Sequence, residues 1–150
     1  MKVVIQRVKQ ASVEVENSIV SSIGKGMVVL LGIENEDNQI DIDWISSKIS
    51  QLRIFDDNNK IMNNSITDIN GEIIIISQFT LHASTKKGNR PSYIKAAKSE
   101  FAKDLYEKLL ISIESKINKM PKAGVFGADM LVKIENDGPV TIIIDSKKKE

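Results

Sequence analysis

The sequence predicts one α/β domain in which mixed and antiparallel β-sheet carries two main helices, and three observations predict it. Two apolar runs bounded by glycine, "GMVVLLGI" from Gly26 and "GEIIIISQF" from Gly71, suit strands covered on both faces. Two stretches, from Asp41 and from about Ser99, switch to helical spacing of apolar residues. Runs that alternate apolar and polar residues stand near both ends of the chain. A length of 150 residues suits one domain, 1–150, with room for a proper core, and shows no internal repeat or low-complexity segment.

Taken in order, Met1 to Val8 predicts a half-buried first strand. Ser12 to Ile23, "SVEVENSIVSSI", predicts a hairpin turning at Asn17-Ser18. Gly26 to Ile33 is the first doubly covered strand. In the first helix Ile42, Ile45, Ile49 and Leu52 form the buried stripe, with Trp44 as an anchoring aromatic. Asp41 and Asp43 lie at its start, where carboxylates meet the positive end of the helix dipole. "FDDNNKIMNNS" predicts loop and turn before the second covered strand. Phe101, Leu105, Leu109, Ile113 and Ile117 form the second helix, which Ser99 can cap and which ends before Pro121. "KAGVFGADM" is a glycine-punctuated connection. "MLVKIE" and "VTIIID" then flank Asn136-Asp137-Gly138-Pro139, and Asp-Gly between such runs predicts a hairpin turn. The charged end, residues 146–150, predicts a frayed tail.

Composition narrows the chemistry. With 21 basic and 20 acidic residues the net charge is +1, so bulk charge does not call for nucleic acid, although a local patch can still capture phosphates. The absence of cysteine removes disulfides and thiolate chemistry, and one histidine leaves no ordinary zinc site, so no metal and no cofactor are expected. No apolar run approaches the ~20 residues of a membrane span, and the amino-terminal residues lack a signal-peptide pattern, so a cytoplasmic protein without membrane partners is expected. What remains is hydroxyl, amide and backbone chemistry.

That chemistry concentrates where "GEIIIISQF" gives way to "TLHASTKKGNRPSY". On a continuing strand Thr80 and His82 would share a face with ~6.6 Å between Cα atoms, too loose for hydroxyl-to-imidazole contact, so a polar strand end is predicted and no catalytic triad. "KKGNR", Lys86 to Arg90, adds three positive charges that a phosphate backbone docked beside the strand end would use.

Three separated segments, "VVIQRV", "SQFTL" followed by "KKGNRPS", and "FGADM" followed by "NDGPVT", together resemble the D-aminoacyl-tRNA deacylase family from residue 1 to about 145. "ASVEV" and "LRIF" add agreement outside these motifs. The resemblance implies a homodimeric, layered α/β/β hydrolase that cleaves the ester joining a D-amino acid to the 3′ end of tRNA. It places the catalytic strand end on Ser77, Gln78, Phe79 and Thr80, and a chirality filter on Gly138 and Pro139. The Gly-Pro bond is implied to be cis and to reach into the partner subunit's pocket. Arg7 is implied to clamp carbonyls and the Gln78 amide, and Phe126 and Met130 to line a pocket for the terminal adenosine, although ordinary core burial suits those two equally. Whether Thr80 attacks or only shapes the site stays open, with the absence of an evident base favouring the second. A steric filter also implies a leak toward glycyl-tRNA, because glycine has no side chain to collide. A non-catalytic tRNA-end-binding module using "KKGNR", or a purely structural dimer, are the rival expectations.

Overall fold

The longest strands pair with each other and organise the sheet. In the computed structural model, which describes residues 1–149, β1 (Lys2–Val15) runs antiparallel to β8 (Leu131–Asp145) along almost its whole length. On its other side β1 pairs first with β3 (Gly26–Gly32) and then with β2 (Ser18–Ile23). Beyond β3 lie β6 (Glu72–Ser77) and β7 (Lys122–Ala123), both parallel to their neighbours, so the sheet is mixed. A separate two-stranded ribbon, β4 (Phe55–Asp56) with β5 (Met62–Asn64), occupies part of the stretch expected to be only loop. No helix among the described residues is long and apolar enough to cross a membrane.

The two covered strands are as expected. In β3, Met27, Val29 and Leu31 join the cluster beneath the helices, while Val28 joins a second cluster on the opposite face. Ile73 and Ile75 of β6 go to the first, and Ile74 and Ile76 to the second. The period of two thus serves two cores, and burying each such side chain stabilises by about 1.5–3 kcal/mol.

Helix α1 (Gln39–Gln51) starts two residues earlier than the hydrophobic period suggests, because Asn38 caps it: its side chain accepts from the helix backbone while Asp41 reaches back to the Asn38 amide at 3.0 Å. Helix α2 (Ser99–Ile117) buries Leu105, Tyr106, Leu109 and Ile113, and ends where Asn118 takes the left-handed conformation. Two expectations for it are corrected. Ser99 is already helical and caps nothing, and Phe101 lies 41% exposed because it sits in the first turn, ahead of the buried stripe.

The first hairpin turns at Glu16 and Asn17, both at positive φ, one residue earlier than predicted. This is the backbone signature of a two-residue primed turn, whose twist matches the flanking strands.

The expected frayed tail is also corrected. Ser146 is buried: its amide donates to the Met1 carbonyl at 2.9 Å and its hydroxyl donates to Asp41 at 2.6 Å. The amino group of Met1 donates to Ser146 at 2.9 Å and also to Asp37, and Lys147 pairs with Asp41 at 2.9 Å. The physical reason is complementary charge: Asp37 and Asp41 are buried acids that need cations. Glu150 lies outside the described residues. Burial alone would raise the Asp41 pKa, but the Ser146 hydroxyl, the Lys147 ammonium and the Asn38 amide together hold it below the usual carboxylate value. A depressed folded-state pKa contributes stability that is present above the unfolded value of ~3.9 and is lost as pH falls through the folded value. Ser146→Ala is therefore expected to cost about 1.5–3 kcal/mol at neutral pH, as for a hydrogen bond to a charged group. The gap should narrow in urea titrations near pH 3, and an equal gap at both pH values would refute the linkage.

Candidate active site

At the end of β6 the chain leaves the sheet. The Gln78 amide donates to the Leu31 carbonyl at 2.7 Å, and the next four residues, Phe79–His82, form a single 3₁₀ turn. The strand expected through Phe79 thus ends at Ser77, and the cause lies in β3. Gly32 carries no side chain, and a Cβ there would stand 2.9 Å from Cβ of Leu81 and 3.0 Å from Cδ2 of His82. That gap lets the turn fold down onto the end of β3.

The turn sets the chemistry of Thr80. Nε2 of Gln78 donates to Oγ1 of Thr80 at 2.6 Å, so the hydroxyl is positioned by a neutral amide rather than by a base. His82 is buried, lies against Gly32, and its Nε2 has no hydrogen-bond partner among the described residues. The backbone N–H groups of Phe79 and Thr80 have no backbone acceptor among the described residues, as befits the first donors of a helical turn. Ser77 is half-buried and pairs with Leu31. Phe79 is 57% exposed and meets Tyr93 edge-on, with ring centroids 5.0 Å apart.

A second constellation surrounds Arg7, which is 7% exposed. Its Nη1 donates to the Ile54 carbonyl at 2.7 Å and to Oδ1 of Asp56 at 3.1 Å. Its Nε donates to the Asp137 carbonyl at 3.1 Å and lies 3.3 Å from Oδ2 of Asp137. Arg7 is thus a clamp on carbonyls, as expected, but Gln78 is not among its partners, because the two residues belong to different parts of the sheet.

Asp137 opens the segment predicted to be a hairpin, and that prediction is corrected. "MLVKIE" and "VTIIID" are the two halves of one strand, β8. Gln6 pairs with Thr141 and Val8 with Asn136, so residues 137–140 bulge outward opposite Arg7. The turn-like chemistry is real: Gly138 has φ +119°, a conformation that only glycine adopts readily. A bulge and a hairpin both demand it, and only the pairing with β1 distinguishes them. The expected cis bond is corrected too. There are no cis peptides among the described residues, so Gly138–Pro139 is trans. Trans is the lower isomer by about 0.5–1 kcal/mol, and with it β8 resumes its ladder at Thr141.

Strand register shows how far apart the two constellations lie. Ser77 is level with Leu31 and Val3, four residues along β1 from Arg7 and its bulge. That is about 13 Å along the strands, and the path from β8 through β1 and β3 to β6 adds about 14 Å across them. Within one protomer Gly138 and Pro139 therefore do not meet Thr80. Cavities of about 540 Å³ (beside Gln10, Ile23 and Glu135) and 570 Å³ (beside Lys2, Trp44 and Ile143) lie elsewhere, with none of Thr80, Gly138 and Pro139 in their walls.

Phe126 and Met130 lie beyond the far edge of β6. Strand β7 runs parallel to β6 and the Gly124 amide donates to the Ile75 carbonyl at 3.2 Å, so the segment 124–130 leaves the sheet at the same end as Ser77. Phe126 is half-buried against Tyr106, with centroids 5.5 Å apart, and Met130 packs over Gly124, where a Cβ would stand 2.5 Å from its sulfur. Tyr106 donates to the Ile75 carbonyl at 2.8 Å, and burial pushes its phenol pKa up to about 12, so it stays a neutral donor.

Where β6 ends, a hydroxyl held by a neutral amide thus stands beside two N–H groups without a backbone acceptor, groups of the kind that ester hydrolases use. Known proteins resemble the chain along almost its whole length. A sequence profile of the D-Tyr-tRNA(Tyr) deacylase family matches residues 4–145. The D-aminoacyl-tRNA deacylases of Flavobacterium psychrophilum and Bacteroides thetaiotaomicron are 62% and 58% identical to this chain, over the full length of each protein. Among solved structures, a c-Myc DNA unwinding element binding protein is 42% identical with a TM-score of 0.92, over 97% of this chain and 99% of that one. A probable eukaryotic D-amino acid tRNA deacylase, 18% identical, shares the fold with a TM-score of 0.79 over 95% of this chain and 97% of its own. The chain belongs to the D-Tyr-tRNA(Tyr) deacylase family, and as a deacylase it is a hydrolase.

Proposed function

We propose that this enzyme hydrolyses the ester of D-aminoacyl-tRNA, releasing free tRNA and the D-amino acid, and spares L-aminoacyl-tRNA. The observation that carries the proposal is the end of β6, where Gln78 holds the Thr80 hydroxyl at 2.6 Å beside the unbonded N–H groups of Phe79 and Thr80. Those two donors would bind the oxyanion, and losing one such donor typically costs ~10² to 10³ in rate. Phe126, packed on the cluster beneath the helices, and Met130, packed on the cluster of the opposite face, would receive the terminal adenosine from either side of the segment that leaves this sheet end.

Gly138 and Pro139 would supply stereoselectivity to a second copy of the chain. The register separation described above supports this assignment, since the bulge is too far from Thr80 of its own protomer. Strand β8 has no partner on its outer edge among the described residues, and Leu131 and Ile143 on it are 57% and 68% exposed, which supports a symmetric dimer built on that face. The two clusters on opposite faces of β3 and β6 likewise support an α/β/β layering. Rigid backbone carbonyls at the bulge would hold the substrate amino group and fill the space of an L side chain, so rejection is steric. Rigidity would come from the Arg7 clamp and the glycine conformation. Glycyl-tRNA, lacking a side chain, would leak through. Charged tRNA places the activity in the cytoplasm.

Gln78 is a neutral amide in either orientation and cannot act as a base, so water assisted by the tRNA 2′-hydroxyl is the proposed nucleophile. Thr80→Ala is then expected to retain turnover within about threefold, well short of the ~10² loss typical of a removed nucleophile or base. Release of amino acid from matched D- and L-charged tRNA tests the whole proposal. Stereoselective release supports it, tight binding without release supports a tRNA-end-binding module instead, and a trapped acyl-Thr80 would exclude the water route.

A further inference from the structure

The charge of this chain is distributed very unevenly. From Ile73 to Ser99 there is no carboxylate, while Lys86, Lys87, Arg90, Lys95 and Lys98 all fall in this segment. A chain with net charge +1 therefore holds +5 there and −4 in everything else. The segment begins in the strand that ends at the candidate active site and includes the whole 3₁₀ turn.

Its conformation leaves those charges unpaired on an anchored arch. Ser84 and Ser92 exchange backbone hydrogen bonds of 2.8 and 2.9 Å, closing an arch from Thr85 to Pro91 whose residues are all exposed. Gly88, at φ +137°, lets the tip turn. The base of the arch is tied twice: Tyr93 packs edge-on against Phe79 of the active-site turn, and the Ala97 amide donates to the Ile33 carbonyl at 3.0 Å. Among the described residues none of the five cations forms a salt bridge, whereas Lys2, Arg7, Lys103, Lys108, Lys133 and Lys147 all do. Leaving five neighbouring like charges without counter-charges is mildly unfavourable in the free protein, and a polyanion removes that cost.

We propose that the arch from Lys86 to Arg90, supported by Lys95 and Lys98, binds the phosphodiester backbone of the tRNA acceptor end while the esterified 3′ terminus enters the active site. This rests on the deacylase proposal for the choice of RNA and for the place of its terminus. The arch begins four residues after Thr80, within about 14 Å of extended chain, so the backbone of a nucleic acid whose terminus lies at Thr80 comes within its reach. Binding of this kind carries no base specificity. It positions the substrate, and each neutralised phosphate makes the affinity more sensitive to salt.

The test uses the full-length triple variant Lys86→Ala, Lys87→Ala, Arg90→Ala and two readouts. The first is the Kd of uncharged tRNA between about 50 and about 200 mM salt. With three phosphate contacts at a slope of about −0.7 to −0.9 each, the native protein should lose about 20- to 40-fold more affinity across that range than the variant. The second is hydrolysis of a D-aminoacyl-adenosine ester, too short to reach the arch, where variant and native protein should agree within about twofold. Equal tRNA affinity and equal salt slope in the two proteins would overturn the proposal. So would weakened tRNA binding with an unchanged salt slope, which indicates a misfolded arch rather than lost phosphates. If the native protein leaves D-aminoacyl-adenosine intact, the deacylase proposal fails, and the tRNA Kd still decides the fate of the arch.

Discussion

Gly138→Ala is expected to lower the rate of D-aminoacyl-tRNA hydrolysis by about 10²-fold and to weaken discrimination against L-substrates, while the protein stays folded. Gly138 sits at φ +119°, where an added Cβ would stand 2.7 Å from Nη2 of Arg7 and 3.1 Å from Cγ2 of Val140. An alanine must therefore change the backbone conformation, push Arg7 aside, or both. Conformational strain of this kind costs about 1–3 kcal/mol, which a domain of ordinary stability survives. The catalytic effect is larger than the effect on stability because the bulge is proposed to reach into another subunit's site, where a displacement of about 1 Å costs about 10²-fold. Kinetics with D- and L-charged tRNA, beside a urea titration, separate the two effects. A variant that keeps its rate and its selectivity would remove the bulge from the site.

Gly138 also shows what could and could not be read from the amino-acid order. The need for glycine was legible, since Asn-Asp-Gly-Pro announces a positive φ. The purpose was not, because a hairpin and a bulge ask the same of that residue and differ only in whether β8 keeps pairing with a strand some 130 positions away. Arg7 repeats the lesson. Its type suggested a clamp, but Ile54, Asp56 and Asp137 lie 47 to 130 residues away in sequence and no local signal marks them. The covered strands and the stripes of both helices were legible because burial writes itself into the order of neighbouring residues. The 3₁₀ turn was hidden for a related reason. "FTLH" has no period of its own, and the space it occupies is provided by Gly32 on another strand. At the tail, a run of lysines resembled a solvated end only because the buried Asp37 and Asp41 it answers lie more than a hundred residues away.

Arg7→Ala is expected to be among the most damaging single changes in the chain, lowering unfolding free energy by about 3–5 kcal/mol and abolishing stereoselective activity in whatever remains folded. Truncation removes the donor to the Ile54 carbonyl in a buried setting, the donor to the Asp137 carbonyl, and the cation between Asp56 and Asp137. A buried polar group left without its partner costs about 1–3 kcal/mol, and Arg7 serves two such carbonyls. Both acids are partly exposed, 48% for the Asp56 side chain and 30% for that of Asp137, so water screens them and the carbonyls account for most of the loss. Arg7→Lys distinguishes charge from geometry. A lysine restores the cation but cannot span Ile54, Asp56 and Asp137 with one planar fork. It should recover about half of the lost stability in a denaturant titration and little of the selectivity, because the bulge would again be attached but no longer aimed. Full recovery of both by lysine would mean that Arg7 acts as a charge alone, and that the shape of the bulge is set by β8 without it.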